Sequence, residues 1–379
     1  MSGIYIHIPF CKQACSYCDF YFVTQQQHKQ NFVDQLILEI KKRGEARFSE
    51  EPVRTIYFGG GTPSLLSVQQ VESILGAIKE TFTLDVQEIT FEMNPDDVSR
   101  EYLNGLKSAG INRASMGVQT FNPDLLNFMN RVHTSEEALE CLQILRESDF
   151  NVFTVDLIYG NPGQSLETLE QDLNTILSFD PPHVSAYSLT IEPRTRLGVQ
   201  VRLGQLVPPE DDTVSDHFDL VENMLGEAGV TQYEVSNFAK SGSEARHNTS
   251  YWTHENYLGL GPGAHSFWWD EGHQSAQRWS NKKHLKSYLS NDWKNSFDLE
   301  TIQLSSLAEE RLMLGLRTKS GVSESELMNR YGFEFSEKQE SYLQKMEEEG
   351  KLNQDEQIHL TTKGLKIADA VLLDLLTAD

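Results

Sequence analysis

The sequence predicts an α/β protein, an open three-quarter (β/α)6 barrel followed by a mainly helical, winged-helix-like C-terminal domain. Strand and helix patterns alternate six times between Ile4 and about Thr190, and the alternation then stops. Strands that alternate with helices imply a parallel sheet with right-handed crossovers. Six such units are too few for a closed eight-stranded barrel, which leaves an open one.

Six apolar runs are expected to form the strands of this sheet. They are Ile4–Ile8, Val53–Phe58, Glu88–Met93, Arg113–Val118, Val152–Ile158 and Val184–Leu189. Helical stripes separate them, such as Phe32, Leu36, Ile37 and Ile40 in the first helix, and Ser67 is the predicted N-cap of the second. A seventh strand, Thr231–Val235, is expected to extend the sheet.

Chemically useful residues stand where the predicted strands end. The first strand runs into a cysteine loop, and the others carry Gly59-Gly60-Gly61-Thr62-Pro63, Glu92, Gln119, Asp156 and Tyr187. In parallel α/β folds the carboxyl ends of the strands form the ligand-binding edge. These residues are therefore predicted to converge on one site.

Three of the four cysteines lie within eight residues, at the spacing C-x3-C-x2-C. They are Cys11, Cys15 and Cys18, whereas Cys141 stands alone in a helical pattern. A zinc site usually needs four ligands, often in two pairs, and the chain has no second pair. A cubane iron–sulfur cluster takes one ligand per iron. Three cysteines would leave one iron open, which is typical of a catalytic cluster.

The spacing of the cysteines alone leaves two alternatives open. The three could lie close together by chance, or they could form a zinc site that His7 or Asp19 completes.

The run Tyr5-Ile-His-Ile-Pro-Phe-Cys11, with the cysteine spacing that follows, resembles the opening of the radical S-adenosylmethionine (radical SAM) enzymes. More narrowly, it resembles the branch that contains oxygen-independent coproporphyrinogen III oxidase. The resemblance implies the same barrel and a [4Fe-4S] cluster held by the three cysteines. It also implies S-adenosylmethionine, whose amino and carboxylate groups chelate the open iron.

The resemblance implies a set of S-adenosylmethionine-binding residues and assigns no catalytic residue. The set is Tyr5, Tyr17, Gly60, Gly61, Thr62, Glu92, Gln119, Arg131 and Asp156. The glycine segment matches the part that binds the amino group, and Arg131 matches an arginine near the carboxylate or ribose. In the oxidase branch, some matching positions contact a second S-adenosylmethionine.

A second motif lies further along the chain, as His247-Asn248-Thr249-Ser250-Tyr251-Trp252 followed by the run LGLGPGAHS. This HNxxYW pattern resembles the haem chaperone subgroup, the HemW proteins, which bind haem and pass it to acceptor proteins. A histidine can ligate haem iron while aromatic rings cover the porphyrin. His247 is the predicted ligand, with Asn248, Tyr251 and Trp252 around the haem. His254, His265 and Cys141 remain alternative ligands.

Two functions compete, a haem carrier and an oxidative decarboxylase of coproporphyrinogen III. The oxidases have a fourth cysteine two residues after the third, where this chain has Asp19-Phe20. They also have an extension before the first strand, whereas this chain begins almost at that strand. With the HNxxYW motif, these differences favour the carrier. The expected partners are haem, acceptor haemoproteins that include membrane-bound respiratory ones, and a second copy in a homodimer.

The chain is expected to divide into a barrel (1–235), a connecting segment with the haem motif (236–300) and a C-terminal domain (301–379). The last resembles a winged helix, with three helices, a hairpin over Lys351–Leu360 and a closing helix over Thr361–Leu376. Its Glu347-Glu348-Glu349 run opposes a DNA-binding role. We therefore predict a docking or lid domain.

Composition predicts a cytoplasmic protein. The 379 residues carry a net charge of −24, which disfavours nucleic acid as a partner. No apolar run approaches the ~20 residues of a membrane span, and no signal peptide is expected. Clustered cysteines indicate metal ligands in a reducing compartment more than disulfides.

Overall fold

Six parallel strands form the centre of the molecule, in the order in which they occur in the chain. The computed structural model describes residues 3–45, 51–148, 150, 152–270, 272, 274–291, 293 and 297–378. The strands are β1 (Gly3–Ile8), β2 (Val53–Gly60), β3 (Leu84–Met93), β4 (Arg113–Gln119), β5 (Val152–Tyr159) and β6 (His183–Ser188). Each neighbouring pair is parallel, which confirms the open (β/α)6 barrel.

Helices connect these strands and follow the last of them, β6. They are α1 (Lys29–Gly44), α2 (Val68–Thr81), α3 (Arg100–Ala109), α4 (Pro123–Phe128), α5 (Ser135–Arg146), α6 (Leu166–Ser178), α7 (Arg196–Arg202) and α8 (Asp211–Glu227). Phe32, Leu36 and Ile40 are buried on α1, as their spacing predicts. Ser67 caps α2 in a reciprocal capping box with Gln70.

Further strands extend both ends of the central sheet to twelve strands. At one end, β8 (Asn237–Ala239) pairs with β6 and with β7 (Thr231–Gln232). At the other end, beyond β1, lie β9 (Tyr257–Leu260), β10 (His265–Asp270), β11 (Ser275–Asn281) and β12 (Phe297–Gln303). The segment predicted to be a connection thus adds strands to the barrel's own sheet, which its glycine-rich sequence did not indicate. The boundary at residue 235 stays a prediction.

The predicted strand Thr231–Val235 is wrong in its extent. Only Thr231–Gln232 pairs in the sheet. The backbone then leaves the sheet because it bonds to the C-terminal domain: Val235 N–H donates to the Arg317 carbonyl and Lys319 N–H donates to the Tyr233 carbonyl. Contact between the two domains overrides the local strand pattern.

The C-terminal domain contains the predicted helices and hairpin. Its helices are α11 (Leu304–Gly315), α12 (Glu324–Glu326, continued by a π-helical turn, Leu327–Tyr331), α13 (Glu337–Glu348), α14 (Thr362–Leu365) and α15 (Ala368–Thr377). The hairpin is β13 (Leu352–Gln354) with β14 (Ile358–Leu360). The predicted closing helix is two helices, which meet at Lys366-Ile367. Within the described residues, no helix combines the length and apolarity that crossing a bilayer requires.

Two short helices complete the fold between these parts. They are α9 (Arg246–Trp252) and α10 (Leu285–Leu289). The first carries the HNxxYW motif and packs against β2 and β3.

Candidate functional site

The strands and the loops that follow them surround one cavity of about 1200 Å³. All three clustered cysteines line it, as do all nine residues predicted to bind S-adenosylmethionine. Three of the four predicted haem residues also line it, namely His247, Asn248 and Tyr251. Trp252 is half-buried outside the cavity, because it follows Tyr251 on α9 and faces another side of that helix.

The cysteine loop lies between β1 and α1 and is held against the loop that follows α4. Ser16 donates through its backbone N–H to the Met129 carbonyl (3.0 Å) and through its hydroxyl to the Phe128 carbonyl (2.9 Å). Asn130 Nδ2 donates to the Ala14 carbonyl at 2.7 Å. The loop is therefore shaped by backbone contacts that do not depend on a bound metal.

The three thiols are partly buried and free of disulfides. Burial raises the pKa of Cys11 and of Cys18 to about 11. Such thiols become thiolates only when a strong positive centre binds them. No three His, Cys, Asp or Glu side chains of the described residues are arranged to hold a single metal ion. A cubane cluster makes no such demand, because each thiolate binds a different iron.

The glycine segment after β2 packs directly on the cysteine loop. Gly61 N–H donates to the Ile8 carbonyl at 2.8 Å, and Gly60 has a φ of +105°. A Cβ on Gly61 would lie 2.7 Å from the carbonyl oxygens of Ile8 and Phe10, and 3.1 Å from Cys11 Sγ. Only glycine fits here, so the backbone forms a cradle beside the thiols, as a cluster-bound ligand requires.

Two carboxylates line the same cavity from β3 and β5, the strands on either side of β4. Glu92 accepts a hydrogen bond from the Tyr57 hydroxyl at 2.6 Å, and burial together with the charge of Asp156 raises its pKa to about 7. Asp156 lies 3.4 Å from Ser115 Oγ, and burial raises its pKa to about 6. Both groups can therefore exchange a proton near neutral pH or accept bonds from an ammonium group.

Arg131 places a cation among the thiols. Its Nη2 donates to Asn94 Oδ1 at 2.8 Å and to the Gly117 carbonyl at 2.9 Å, while Nη1 lies 3.5 Å from Cys15 Sγ. Its buried Nε has no hydrogen-bond partner among the described residues. The guanidinium thus keeps a donor for an anionic ligand.

Gln119, which also lines the cavity, has a φ of +70°.

The HNxxYW helix is anchored by a buried carboxylate. Glu88 accepts the backbone N–H groups of Arg246 (3.0 Å) and His247 (2.9 Å), and so caps α9 from β3. Arg113 Nη1 lies 3.7 Å from the same carboxylate. The first turn of α9 is thereby fixed against the barrel wall.

His247 is fully buried, and both of its ring nitrogens are bonded. Nδ1 lies 2.8 Å from Thr55 Oγ1, and Nε2 lies 2.8 Å from the Tyr251 hydroxyl. Its ring stacks on Tyr57 at 5.0 Å between centroids, and burial lowers its pKa to about 3. A metal bound at either ring nitrogen would therefore have to displace a hydroxyl, that of Thr55 at Nδ1 or that of Tyr251 at Nε2.

The three alternative haem ligands occupy different environments. His254 and His265 line the cavity, and His254 Nδ1 is bonded to the Tyr331 hydroxyl at 3.2 Å. Cys141 is buried on α5 against Met116 and does not line the cavity.

Sequence reasoning missed several residues that line the cavity or hold α9 beside it. Tyr57, Arg278 and Glu310 line the cavity, and Thr55 and Glu88 bond to α9; the motifs indicated none of them. A signal existed for Tyr57, which stands two residues before Gly59 on one strand and so shares its face. For Glu88 and Glu310 we find none, since their partners are remote in sequence.

The chain is similar to known proteins over its whole length. The radical SAM superfamily model matches residues 5–176, and the HemN C-terminal domain model matches residues 302–367. Heme chaperone HemW of Bacillus subtilis is 36% identical, with 98% of each chain covered. Heme chaperone HemW of Lactococcus lactis is 37% identical, with 100% of this chain and 98% of the relative covered.

A solved structure shows the same fold. Coproporphyrinogen III oxidase (HemN) from Escherichia coli superposes with a TM-score of 0.83 at 24% identity, covering 99% of this chain and 90% of that one. At this identity the likeness establishes the architecture.

Proposed function

The chain belongs to the HemW haem chaperone family of the radical SAM superfamily, and from this we propose that it binds haem and transfers it to acceptor haemoproteins. The observation that carries the proposal is that HemW relatives match essentially the entire chain, including the HNxxYW helix that lines the cavity. The carrier function predicted from the sequence agrees with this family.

The protein carries a [4Fe-4S] cluster and S-adenosylmethionine, as radical SAM proteins do. We assign the cluster to Cys11, Cys15 and Cys18. The bound cluster supplies one iron with an open coordination site for S-adenosylmethionine. The glycine cradle, the Arg131 guanidinium and the paired carboxylates Glu92 and Asp156 suit its amino and carboxylate groups. Tyr5, Tyr17, Thr62 and Gln119 complete the set that we propose contacts S-adenosylmethionine.

The same cavity has room for a tetrapyrrole. Its volume of about 1200 Å³ exceeds the ~300–1,000 Å³ typical of single-ligand pockets. Aromatic rings form one wall, including Tyr5 stacked on Tyr57 and Tyr251 against Tyr257 (4.6 Å between centroids). Such a wall suits the flat face of a porphyrin.

The biological setting that we propose is the cytoplasm. Haem would pass to acceptor haemoproteins, membrane-bound respiratory ones among them, and the carrier would work as a homodimer. Four cysteines without disulfides and a net charge of −24 support a reducing compartment and a protein partner over nucleic acid.

Decarboxylation of coproporphyrinogen III is the second candidate, favoured by the close superposition on HemN. Against it stands Phe20, which is 68% exposed at the position where the oxidases have a fourth cysteine. Likeness at 24% identity shows the fold and not the reaction.

The deciding experiment uses the full chain after anaerobic reconstitution of the cluster. Haemin is titrated while the Soret band is followed, and coproporphyrinogen III is incubated separately with S-adenosylmethionine and a reductant. We expect stoichiometric haem binding and no decarboxylated product. Protoporphyrinogen in the second reaction, without haem binding in the first, would overturn the carrier proposal.

Two variants identify the iron ligand. We expect His247→Ala to weaken haemin binding at least tenfold, and Tyr251→Phe to retain the Soret band because it only frees Nε2. Trp252→Phe, outside the cavity, is the matched control. Loss of the haem spectrum in Tyr251→Phe with retention in His247→Ala would assign the iron to the tyrosine instead.

A further inference from the structure

One basic side chain at the cavity rim has no counter-charge. Among the lysines and arginines that line the cavity in the described ranges, Lys283 alone makes no hydrogen bond or ion pair. The other four are all bonded: Lys12 to Asp96, Arg113 to Glu88, Arg131 to Asn94, and Arg278 to Glu310. In a chain of net charge −24, an unpaired lysine facing a cavity is a position where an anion would be stabilised.

His265 shares this position with Lys283. Its side chain lines the same cavity, at the start of β10, and makes no hydrogen bond to another described residue. The charges that act on it are positive: after burial, Lys283 and then Arg278 lower its pKa. The same two side chains, Lys283 and His265, also add to the lowering of the pKa of His7, which burial dominates.

A buried carboxylate fixes the backbone that carries this pair. Glu39 of α1 accepts from Gly261 N–H at 2.9 Å and from Asn281 Nδ2 at 2.7 Å. The loop before β10 and the end of β11 are further joined by Gly263 N–H donating to the Asn281 carbonyl at 3.1 Å. A Cβ on Gly263 would lie 3.3 Å from Lys283 Cγ, so the lysine stem packs on that glycine.

The pair lies at the opposite end of the aromatic wall from the HNxxYW helix. Strand β1 joins the two ends, because Gly3 touches the His247 ring and the His7 carbonyl touches Gly261. Four strand residues span about 13 Å, a distance that half of a porphyrin macrocycle, its propionate arm and the Lys283 side chain have to cover together. A porphyrin lying on the Tyr5 wall, with its iron near His247, would bring its propionate edge to this rim.

We propose that Lys283 and His265 form a subsite that binds a carboxylate of the cargo, a propionate of the tetrapyrrole. The subsite selects porphyrins that retain free propionates and sets their orientation in the cavity. This inference rests on the proposed haem-carrier function. The carboxylate of S-adenosylmethionine is the other source of the same chemistry, and the test separates the two.

The test compares haemin with haemin dimethyl ester, which lacks free carboxylates, in the same detergent buffer. A charge-assisted hydrogen bond predicts that Lys283→Ala weakens haemin binding about tenfold and leaves the ester unchanged. Lys283→Glu is expected to weaken haemin further, and Lys283→Arg to restore it. His265→Ala is expected to show a smaller loss, again confined to haemin.

Lys282→Ala is the matched control, because Lys282 is an exposed neighbour that does not line the cavity. S-adenosylmethionine affinity should be unchanged in Lys283→Ala. A loss confined to S-adenosylmethionine, an equal loss for haemin and ester, or no loss at all would overturn the subsite while haem binding by the wild type stands. Failure of the wild type to bind either porphyrin would instead overturn the proposed function itself.

Discussion

Burial controls the protonation of single side chains in this cavity. The thiols of Cys11 and Cys18 have a raised pKa, and so have the carboxyls of Glu92 and Asp156. In each case burial is the largest cause, because removing water disfavours the charged form. The cavity wall by itself thus favours neutral groups, and a bound cationic centre or ammonium group would favour their ionised forms.

Glu92 is expected to make the apoprotein less stable as the pH rises. A carboxyl whose pKa is about 7 when folded and 4.5 in a model peptide binds its proton more tightly in the folded state. The contribution of Glu92 to the free energy of unfolding is therefore complete below pH 4.5 and is lost as the pH rises through 7. The shift corresponds to about 3 kcal/mol.

Urea unfolding of wild type and Glu92→Gln, at pH 5 and pH 8, measures this effect. The glutamine still accepts a bond from Tyr57 but does not titrate, so we expect the variant to gain relative stability at pH 8. Buried histidines such as His7, whose pKa is lowered to about 4, act in the opposite direction. They are common to both proteins and cancel in the difference. A difference that does not vary with pH would refute the prediction.

Individual elements position the site through close backbone approach. The segment after β2 is a clear case, since Gly61 touches the carbonyls of Ile8 and Phe10. We expect Gly61→Ala to move the cysteine loop and to lower the iron and sulfide content after reconstitution.

Gly76→Ala provides the control for that change. Nothing lies within 4 Å of the added methyl group on α2, so we expect full cluster content and a gain of about 0.5–1 kcal/mol in stability. Equal cluster content in Gly61→Ala and Gly76→Ala would show that the cradle does not support the cluster.

The cap on α9 is a second element-level device. Glu88→Gln replaces one acceptor of the Arg246 and His247 N–H groups by a donor and removes the charge that faces Arg113. We expect faster hydrogen exchange of these two amides, a loss of about 1–3 kcal/mol in stability and weaker haemin binding. Asp85→Asn, exposed near the start of the same strand, should change none of these. Unchanged exchange in Glu88→Gln would mean that packing alone holds the helix.

At the scale of the whole molecule, one carboxylate joins the C-terminal domain to the barrel sheet. Glu310 of α11 accepts from Arg278 of β11 at 2.5 Å and lies 3.4 Å from His254 Nε2. Burial opposes its ionisation, but bonds from His254 and Arg278 lower its pKa to about 2. The link therefore persists at neutral pH, and its contribution to stability, complete above the ordinary pKa of 4.5, is lost as the pH falls through 2.

Removing this charge should loosen the domain. We expect Glu310→Gln to speed hydrogen exchange along α11 and to reduce stability by roughly 1 kcal/mol, a modest value because the pair is partly exposed. Glu309→Gln, on the exposed side of the same helix, is the control. If both variants exchange at the same rate as wild type, apolar packing and not Glu310 holds the domain in place.

Local spacing was enough to predict the cysteine motif, the order of the six strands and the glycine cradle, whereas the helix that carries the HNxxYW motif was not predicted. These features depend on neighbouring residues and on the fixed periods of strand and helix. The strands between residues 257 and 303 were not predicted. The strand predicted over Thr231–Val235 is longer than the observed strand, Thr231–Gln232. In both places long-range pairing decides the backbone path.

The sequence by itself determined what chemistry the chain can hold: three thiols for a cluster, two carboxylates near them and a histidine in an aromatic motif. Only the tertiary structure decided how these groups are held. It placed Thr55 and Tyr251 on His247, Glu88 under α9, and Lys283 beside His265. Such contacts depend on strand register and on the packing of one domain against another, which no local pattern in the sequence records.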